Sequence, residues 1–483
     1  MSDNVHNKNE AGNYIWNAIG GMLNAGQSVL VLIIVTRVCG LEAAGLYSIA
    51  FATGNLFMYL GNYGVRNYQV SDVDEKFPFR SYVLHRLLTV ALMLLVAAVY
   101  CTYSLLRGAY SPAKTMTVAA MCLLKAIDCL EEVLEGRLHQ RGRLDLAGKM
   151  MTVRLLISIG GMLAVLVATR NLLTATNAAI ILAAAAVILM AAACRRTLLP
   201  LQPAPELVAD VGNAGAAPGA AAKNKSAATS PAAPAAHVPE LAAGIGNAAG
   251  APAAAISAAV SAARRGALRD AAVLMRVCFP VCAANFLSFY LINAPKYAID
   301  AAMNETAQAQ YNFIAMPVFV IQLLGMFVYQ PVLVRMTLSW NRADKKGFLR
   351  DFLRITAGLL IIAALCLGGA YVLGIPVLSA LYATDLSALK PELLLILAGG
   401  VFLAMNGFYS AVLTLMREQN RIPVMYLAGA VLSLILTPRF VGISGIMGAV
   451  ISFVLIMAIV CALLSAQFAV AYKKHPAAAR TAH

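Results

Sequence analysis

Lys125, Asp128, Glu132 and Glu135 follow one another at +3, +4 and +3. That spacing puts all four on one face of a helix. The face begins inside an apolar stretch, where each charged side chain costs about 2.5–3.5 kcal/mol at the bilayer centre. Lys125 and Asp128 can pair at i, i+3, which lowers the cost. Two readings stand side by side. The stripe handles charge along a transport path, or it is a structural salt bridge between packed helices, with both glutamates at the water surface facing Arg137 or Arg141.

Three further faces carry polar groups. Ser48, Asn55, Tyr59, Asn62 and Arg66 are spaced +7, +4, +3 and +4. Asn285, Phe289, Asn293, Lys296 and Asp300 are spaced +4, +4, +3 and +4, punctuated by Pro280 and Pro295. Asn13, Asn17, Asn24 and Ser28 share a third face, with Gly20 and Gly21 between them. A single asparagine can simply join two helices by a hydrogen bond. Three whole faces, two of them in matched halves of the chain, favour a water-filled cavity.

The elements that must position these faces follow from composition. Of 483 residues, 61% are hydrophobic and 12% charged, against about 45–50% and about 25% in soluble domains. A soluble enzyme is excluded. Apolar stretches recur at about 14–36, 44–64, 83–105, 113–134, 149–169, 172–194, 271–293, 311–333, 353–374, 391–413, 422–437 and 441–466. Each is long enough, or nearly so, to span a bilayer; the eleventh is short and ends at Pro438. The expected fold is all-α: a polytopic membrane protein of about twelve transmembrane helices in two six-helix lobes with a central cavity. With the polar N-terminus inside, 29 Lys and Arg fall on the cytoplasmic side and 7 on the outer side, as the positive-inside rule requires. The net charge of +15 therefore needs no nucleic-acid partner. The first apolar stretch is too long for a cleavable signal, so it is expected to be a membrane helix.

Residues 203–262 break the pattern, with 38 of 60 being Ala, Pro or Gly. Prolines and glycines at this density oppose a continuous helix, so the segment is expected to be a disordered cytoplasmic linker, with about 253–266 helical along the membrane surface. The expected organisation is a first lobe at 1–196, a linker at 197–266, a second lobe at 267–472 and a cytoplasmic tail at 473–483. Six helices per lobe means both lobes enter from the same side, the topology of a parallel repeat. A trace of that repeat survives: Tyr47 precedes Gly61, and Tyr311 precedes Gly325, by 14 residues each, with Gly45 matching Ala309.

Several chemistries drop out. The segment GRLDLAGKM at 142–150 fails the Walker pattern. Six histidines lie at loops and termini without metal spacing, and nine cysteines lie in or beside apolar stretches without a C-x-x-C pair. No cofactor is expected. The outer loops are short and hold five acids (Glu42, Asp300, Glu305, Asp385, Glu392), which argues against an enzyme.

Particular residues carry a family resemblance. The segment TRVCGLEAAGLYS at 36–48 resembles the Arg-x-x-Gly…Gly-x-Tyr element of bacterial polysaccharide flippases, in the multidrug/oligosaccharidyl-lipid/polysaccharide exporter superfamily. GNYGVRNYQVSD (61–72), NAPKYAID (293–300), MPVFVI (316–321) and VYQP (328–331) are similar to its lipopolysaccharide or capsule branch. The resemblance covers both halves and spares the 203–262 insert. It implies two lobes around a V-shaped cavity and alternating access, in the bacterial cytoplasmic membrane with both termini inside. It further implies, as substrate, a lipid-diphosphate-linked oligosaccharide on an undecaprenyl carrier, whose tail stays among the membrane lipids. Cationic residues then meet the diphosphate: Arg37, Arg66, Lys125 and Lys296, with Arg37 alternatively capping the first helix. Asn55, Tyr59, Asn62, Asp128, Asn285 and Asn293 complete the candidate cavity. No sodium or proton site is matched, so Na+ or H+ coupling stays open, as does the oligomeric state. Two alternatives remain. A drug/cation antiporter would use Asp128. A membrane glycosyltransferase or polymerase would need Asp300 and Glu305 converging in an outer pocket.

Overall fold

The computed structural model describes residues 2–72, 75–198 and 253–474. Among them every regular element is helical. The first half contains α1 (Ser2–Asn62), α2 (Val65–Ser71), α3 (Phe79–Leu106), α4 (Pro112–Gln140), α5 (Leu144–Thr169), α6 (Leu172–Ala193) and the short α7 (Arg195–Leu198). The second contains α8 (Ala253–Ala302), α9 (Glu305–Asn341), α10 (Lys345–Gly369), α11 (Ile375–Tyr382), α12 (Lys390–Leu415) and α13 (Ile422–Lys474). A π-helical turn at Ala370–Gly374 joins α10 to α11. Nine helices among the described residues are long and apolar enough to cross a membrane, and the chain is a multi-pass membrane protein. Helix α4 is not one of the nine; it holds the charged stripe, yet its 29 residues reach about 43 Å.

Two expected loops are bends inside continuous helices. Helix α1 turns at Gly40 (φ 87°, ψ −177°) and α13 at Gly445 (φ 57°, ψ −127°), conformations that a side chain would strain. The expected break at Pro438 is therefore corrected. The helix runs through that proline, and the chain bends seven residues later, at the glycine. A proline inside a membrane helix is tolerated when neighbours satisfy the freed backbone group. The linker expected at 203–262 falls largely on residues 199–252, which lie outside the described residues, as do 475–483; helix α8 begins at Ala253.

The helices pack in two groups. In the first, α1 lies on α3, α4 and α5, and α6 on α4 and α5; in the second, α13 lies on α8 and α12, and α9 on α10 and α12. Helix α1 joins the groups by touching α8, α9 and α11, and α3 touches α8. One core runs through both, from Val31, Tyr47 and Met121 to Tyr311, Phe313 and Phe453. Tyr47 and Tyr311, matched by the repeat, are both buried. A stacked aromatic cluster (Trp340, Phe348, Phe352, Phe408) fills the far end of the second group. Large apolar side chains such as Leu95, Ile181, Leu189 and Ile361 are exposed, as lipid-facing positions require.

Where α1 meets α9 there is no space for a side chain. A Cβ added at Gly45 would fall on the backbone carbonyl of Glu305, whereas one at Gly21 meets nothing within 4 Å. Gly45→Ala is therefore expected to destabilise by about 1–3 kcal/mol, the range for overpacking. Gly21→Ala is expected to leave the detergent-solubilised thermal midpoint unchanged or raised.

Candidate functional site

Helix α4 positions the charges because its heptad-like spacing turns one face toward α2, α3 and α5. Lys125 Nζ lies 3.0 Å from Asp128 Oδ2, and Asp128 Oδ1 lies 2.6 Å from Arg154 NH1 on α5. The same guanidinium donates to Glu131 through Nε. Arg86 on α3 pairs with Glu132 at 2.7 Å, and Arg66 on α2 pairs with Glu135 at 3.1 Å. Four carboxylates thus meet four cations, and their formal charges match one for one. Arg86 also donates to the Gly61 carbonyl at 2.7 Å and to Asn62 Oδ1 at 3.1 Å. That second bond makes Asn62 an arginine acceptor.

Several expectations change here. Glu132 and Glu135 do not face Arg137 or Arg141; Arg137 pairs with Glu75 at 2.8 Å. Lys125 and Asp128 do not face the seam between the halves. They border a cavity of about 20 Å³ whose lining, including Gln27, Phe51, Arg154 and Met162, comes from α1, α4, α5 and α6. That volume holds about one water. The physical reason is local attraction, since the Lys125 ammonium is held by Asp128 and sits 4.7 Å from the centre of the Phe51 ring. Sequence reasoning missed Arg86, Arg154 and Glu131. The signal was there: both arginines lie a few residues inside apolar stretches, but counting them as cytoplasmic flank hid them.

Arg37 spans the halves at the Gly40 end. It donates to the carbonyls of Leu381 (2.9 Å) and Ala380 (2.6 Å). It therefore caps the last turn of α11, where orphan carbonyls need donors. It does not cap the first helix. Nearby, Lys114 reaches Asp300 at 2.7 Å and Glu305 at 3.1 Å, and the Tyr110 hydroxyl donates to Asp300 at 2.7 Å. Asp300 and Glu305 do converge, but on this ammonium, so they form a latch between α4 and the α8–α9 corner. At the opposite end, the Ser81 hydroxyl donates to Asp270 at 2.8 Å.

Between these ends α1 and α8 run side by side. Tyr59 packs on Phe289 with ring centres 5.0 Å apart, and the Tyr297 hydroxyl donates to the Ala52 carbonyl at 3.1 Å. Asn55 and Asn293, both buried, donate to carbonyls of their own helices, Phe51 and Phe289. Asn285 is exposed. Lys296 lies on this stretch and is 7% exposed. Among the described residues it is the one buried charged side chain with neither an ion pair nor a side-chain hydrogen bond. Asp72, Arg86, Lys114, Lys125, Glu131, Glu135, Arg137, Arg154 and Asp351 all have partners.

No family model matches the chain, and no curated protein matches its sequence. Solved structures do match it. A lipid II flippase MurJ in an inward closed conformation aligns with TM-score 0.62 at 11% identity, over 95% of this chain and 89% of that one. A multidrug resistance MATE family transporter of the MOP superfamily, inward-facing, aligns with TM-score 0.57 at 12% identity, over 94% and 96%. An outward-facing transporter of the same description gives 0.51 at 14%, over 96% of each chain. The chain has the fold of MOP superfamily transporters. Within that fold the α4 ladder joins helices of one half, while Lys296 stands where the halves meet.

Breaking the ladder is expected to cost far more than removing it. Arg154→Met leaves Asp128 and Glu131 without their shared cation, a loss of about 3–5 kcal/mol for a broken buried pair. Adding Glu131→Gln, with Asp128 still paired to Lys125, is expected to restore part of the lost stability, read as the unfolding midpoint in detergent.

Proposed function

We propose that this chain is a flippase that moves an undecaprenyl-diphosphate-linked oligosaccharide from the inner to the outer leaflet. It would serve capsule or other surface polysaccharide synthesis in a bacterial cytoplasmic membrane, with both termini cytoplasmic. The single observation that carries this reading is Lys296: a buried ammonium, on the helix where the halves meet, with no counter-charge. An unmatched charge in a bilayer-spanning bundle is costly and is relieved when an anion arrives. A diphosphate supplies that anion and forms short, charge-assisted hydrogen bonds. Tyr59, Asn55, Asn285 and Asn293 lie on the same seam and offer polar contacts to the sugar head group, while the polyprenyl tail stays in lipid.

The cation antiporter is less well supported. It needs a carboxylate free to trade a proton or sodium for a cationic drug, and Asp128 is already held by both Lys125 and Arg154. Coupling to Na+ or H+ has no assigned residue in this proposal. Alternating access requires the Gly40 end to part, so the Lys114 latch must break in each cycle.

Two outcomes follow in proteoliposomes carrying a fluorescent lipid-diphosphate oligosaccharide. Lys296→Gln is expected to slow leaflet exchange about 10–100-fold, the worth of a hydrogen bond to a charged group, with Lys296→Arg retaining part of the rate. Unchanged exchange in the glutamine variant would remove the proposed role. Separately, Lys114→Gln is expected to speed hydrogen exchange at the α8–α9 corner, 297–310, while leaving the α4 ladder protected.

A further inference from the structure

The first turns of α10 carry two parallel rows. Lys346, Arg350 and Arg354 recur at i, i+4 and i+8, and Leu349, Leu353 and Ala357 run beside them. Together the six line a shallow groove of about 510 Å³ on the outer surface of the second half. All three cations are exposed, and among the described residues none has an ion pair or a side-chain hydrogen bond. The nearest acid on the helix is Asp351, which lies buried on another face. Arg335 takes both its oxygens at 2.8 Å.

The row runs down to the edge of an apolar stretch. Eight residues of helix separate Lys346 from Arg354 by about 12 Å. Arg354 sits at the start of the apolar stretch 353–374, beside exposed Leu353 (56%), Leu360 (52%) and Ile361 (61%). An unpaired guanidinium at the edge of an apolar stretch snorkels toward the head groups or finds an anion. Arg350 and Lys346, one and two turns above it, concentrate positive charge along the path it would take. The apolar row continues below, where an acyl chain would lie.

We infer that this groove is a binding site for an anionic phospholipid of the surrounding bilayer. The phosphate sits among Lys346, Arg350 and Arg354, and one acyl chain lies along Leu353, Ala357 and Leu360. Basic pockets on the cytoplasmic side of membrane helices hold such head groups, and the charge excess on the inner side predicted from the sequence puts this row there. A soluble acidic partner fits less well, because the cations adjoin an exposed apolar row, Leu353, Ala357 and Leu360.

Full-length protein in phosphatidylcholine vesicles with a trace of spin-labelled phosphatidylglycerol tests the site. The probe is expected to be immobilised at the protein in preference to spin-labelled phosphatidylcholine. Arg354→Gln should lower that preference on the order of fivefold, and the triple variant with Lys346→Gln and Arg350→Gln should abolish it. Arg417→Gln with Lys473→Gln and Lys474→Gln removes as many cations from the same side and should leave most of the preference in place. Thermal unfolding in detergent should rise with added phosphatidylglycerol for the unsubstituted chain and not for the first triple variant. An equal loss in both triple variants would mean diffuse attraction to basic surface, and no preference in the unsubstituted chain would mean no site; either overturns the inference.

Discussion

The fold of the first half depends on matching buried charge. Helix α4 brings Asp128, Glu131, Glu132 and Glu135 into a bundle that spans a bilayer. Arg66 and Arg86, from α2 and α3, each meet one of them, and Arg154 from α5 meets two. Pairs of this kind gain little over an apolar core of the same shape, but losing one member is expensive. The ladder therefore specifies which helices touch and at what height, more than it adds stability. Arg86 illustrates the point: it ties α3 to Glu132 on α4 and, through the Gly61 carbonyl and Asn62, to the end of α1.

A charge-matched ladder has a functional consequence. Four acids that already hold four cations neither attract a cationic substrate nor repel an anionic one. The electrostatic character of the region between the halves is left to residues outside the ladder, and there Lys296 stands unmatched. The two kinds of buried charge thus separate by role. Paired charges fix helix positions within one half, and the solitary one lies where the halves meet and where a ligand can compensate it.

Much of this was legible in the sequence, for physical reasons. Bilayer thickness forces long apolar runs, so the long membrane helices could be read from composition, though not the joining of expected pairs across Gly40 and Gly445, and the α4 stripe from its 3.6-residue period. Partners across helices were not legible. Arg37 holds carbonyls 344 and 343 positions away, and no local pattern records that. Arg86 and Arg154 were hidden by the positive-inside count, which sorts cations to the water surface, whereas these two are drawn inward by carboxylates. Pro438 suggested a break that the helix absorbs, because a membrane helix can satisfy a freed carbonyl elsewhere and the glycine at 445 bends more cheaply. Lys296 was visible on its polar face, but its lack of a partner required the packing of α1 against α8.

The most direct test is a structure of the full-length protein with a lipid-diphosphate-linked oligosaccharide bound. The account predicts a phosphate oxygen at hydrogen-bond distance from Lys296 Nζ, about 3 Å, with the Lys125–Asp128–Arg154 pairs intact. A diphosphate bound elsewhere while Lys296 stays buried and unpaired, or a ligand that opens the α4 ladder to reach Lys125 or Arg66, would contradict it.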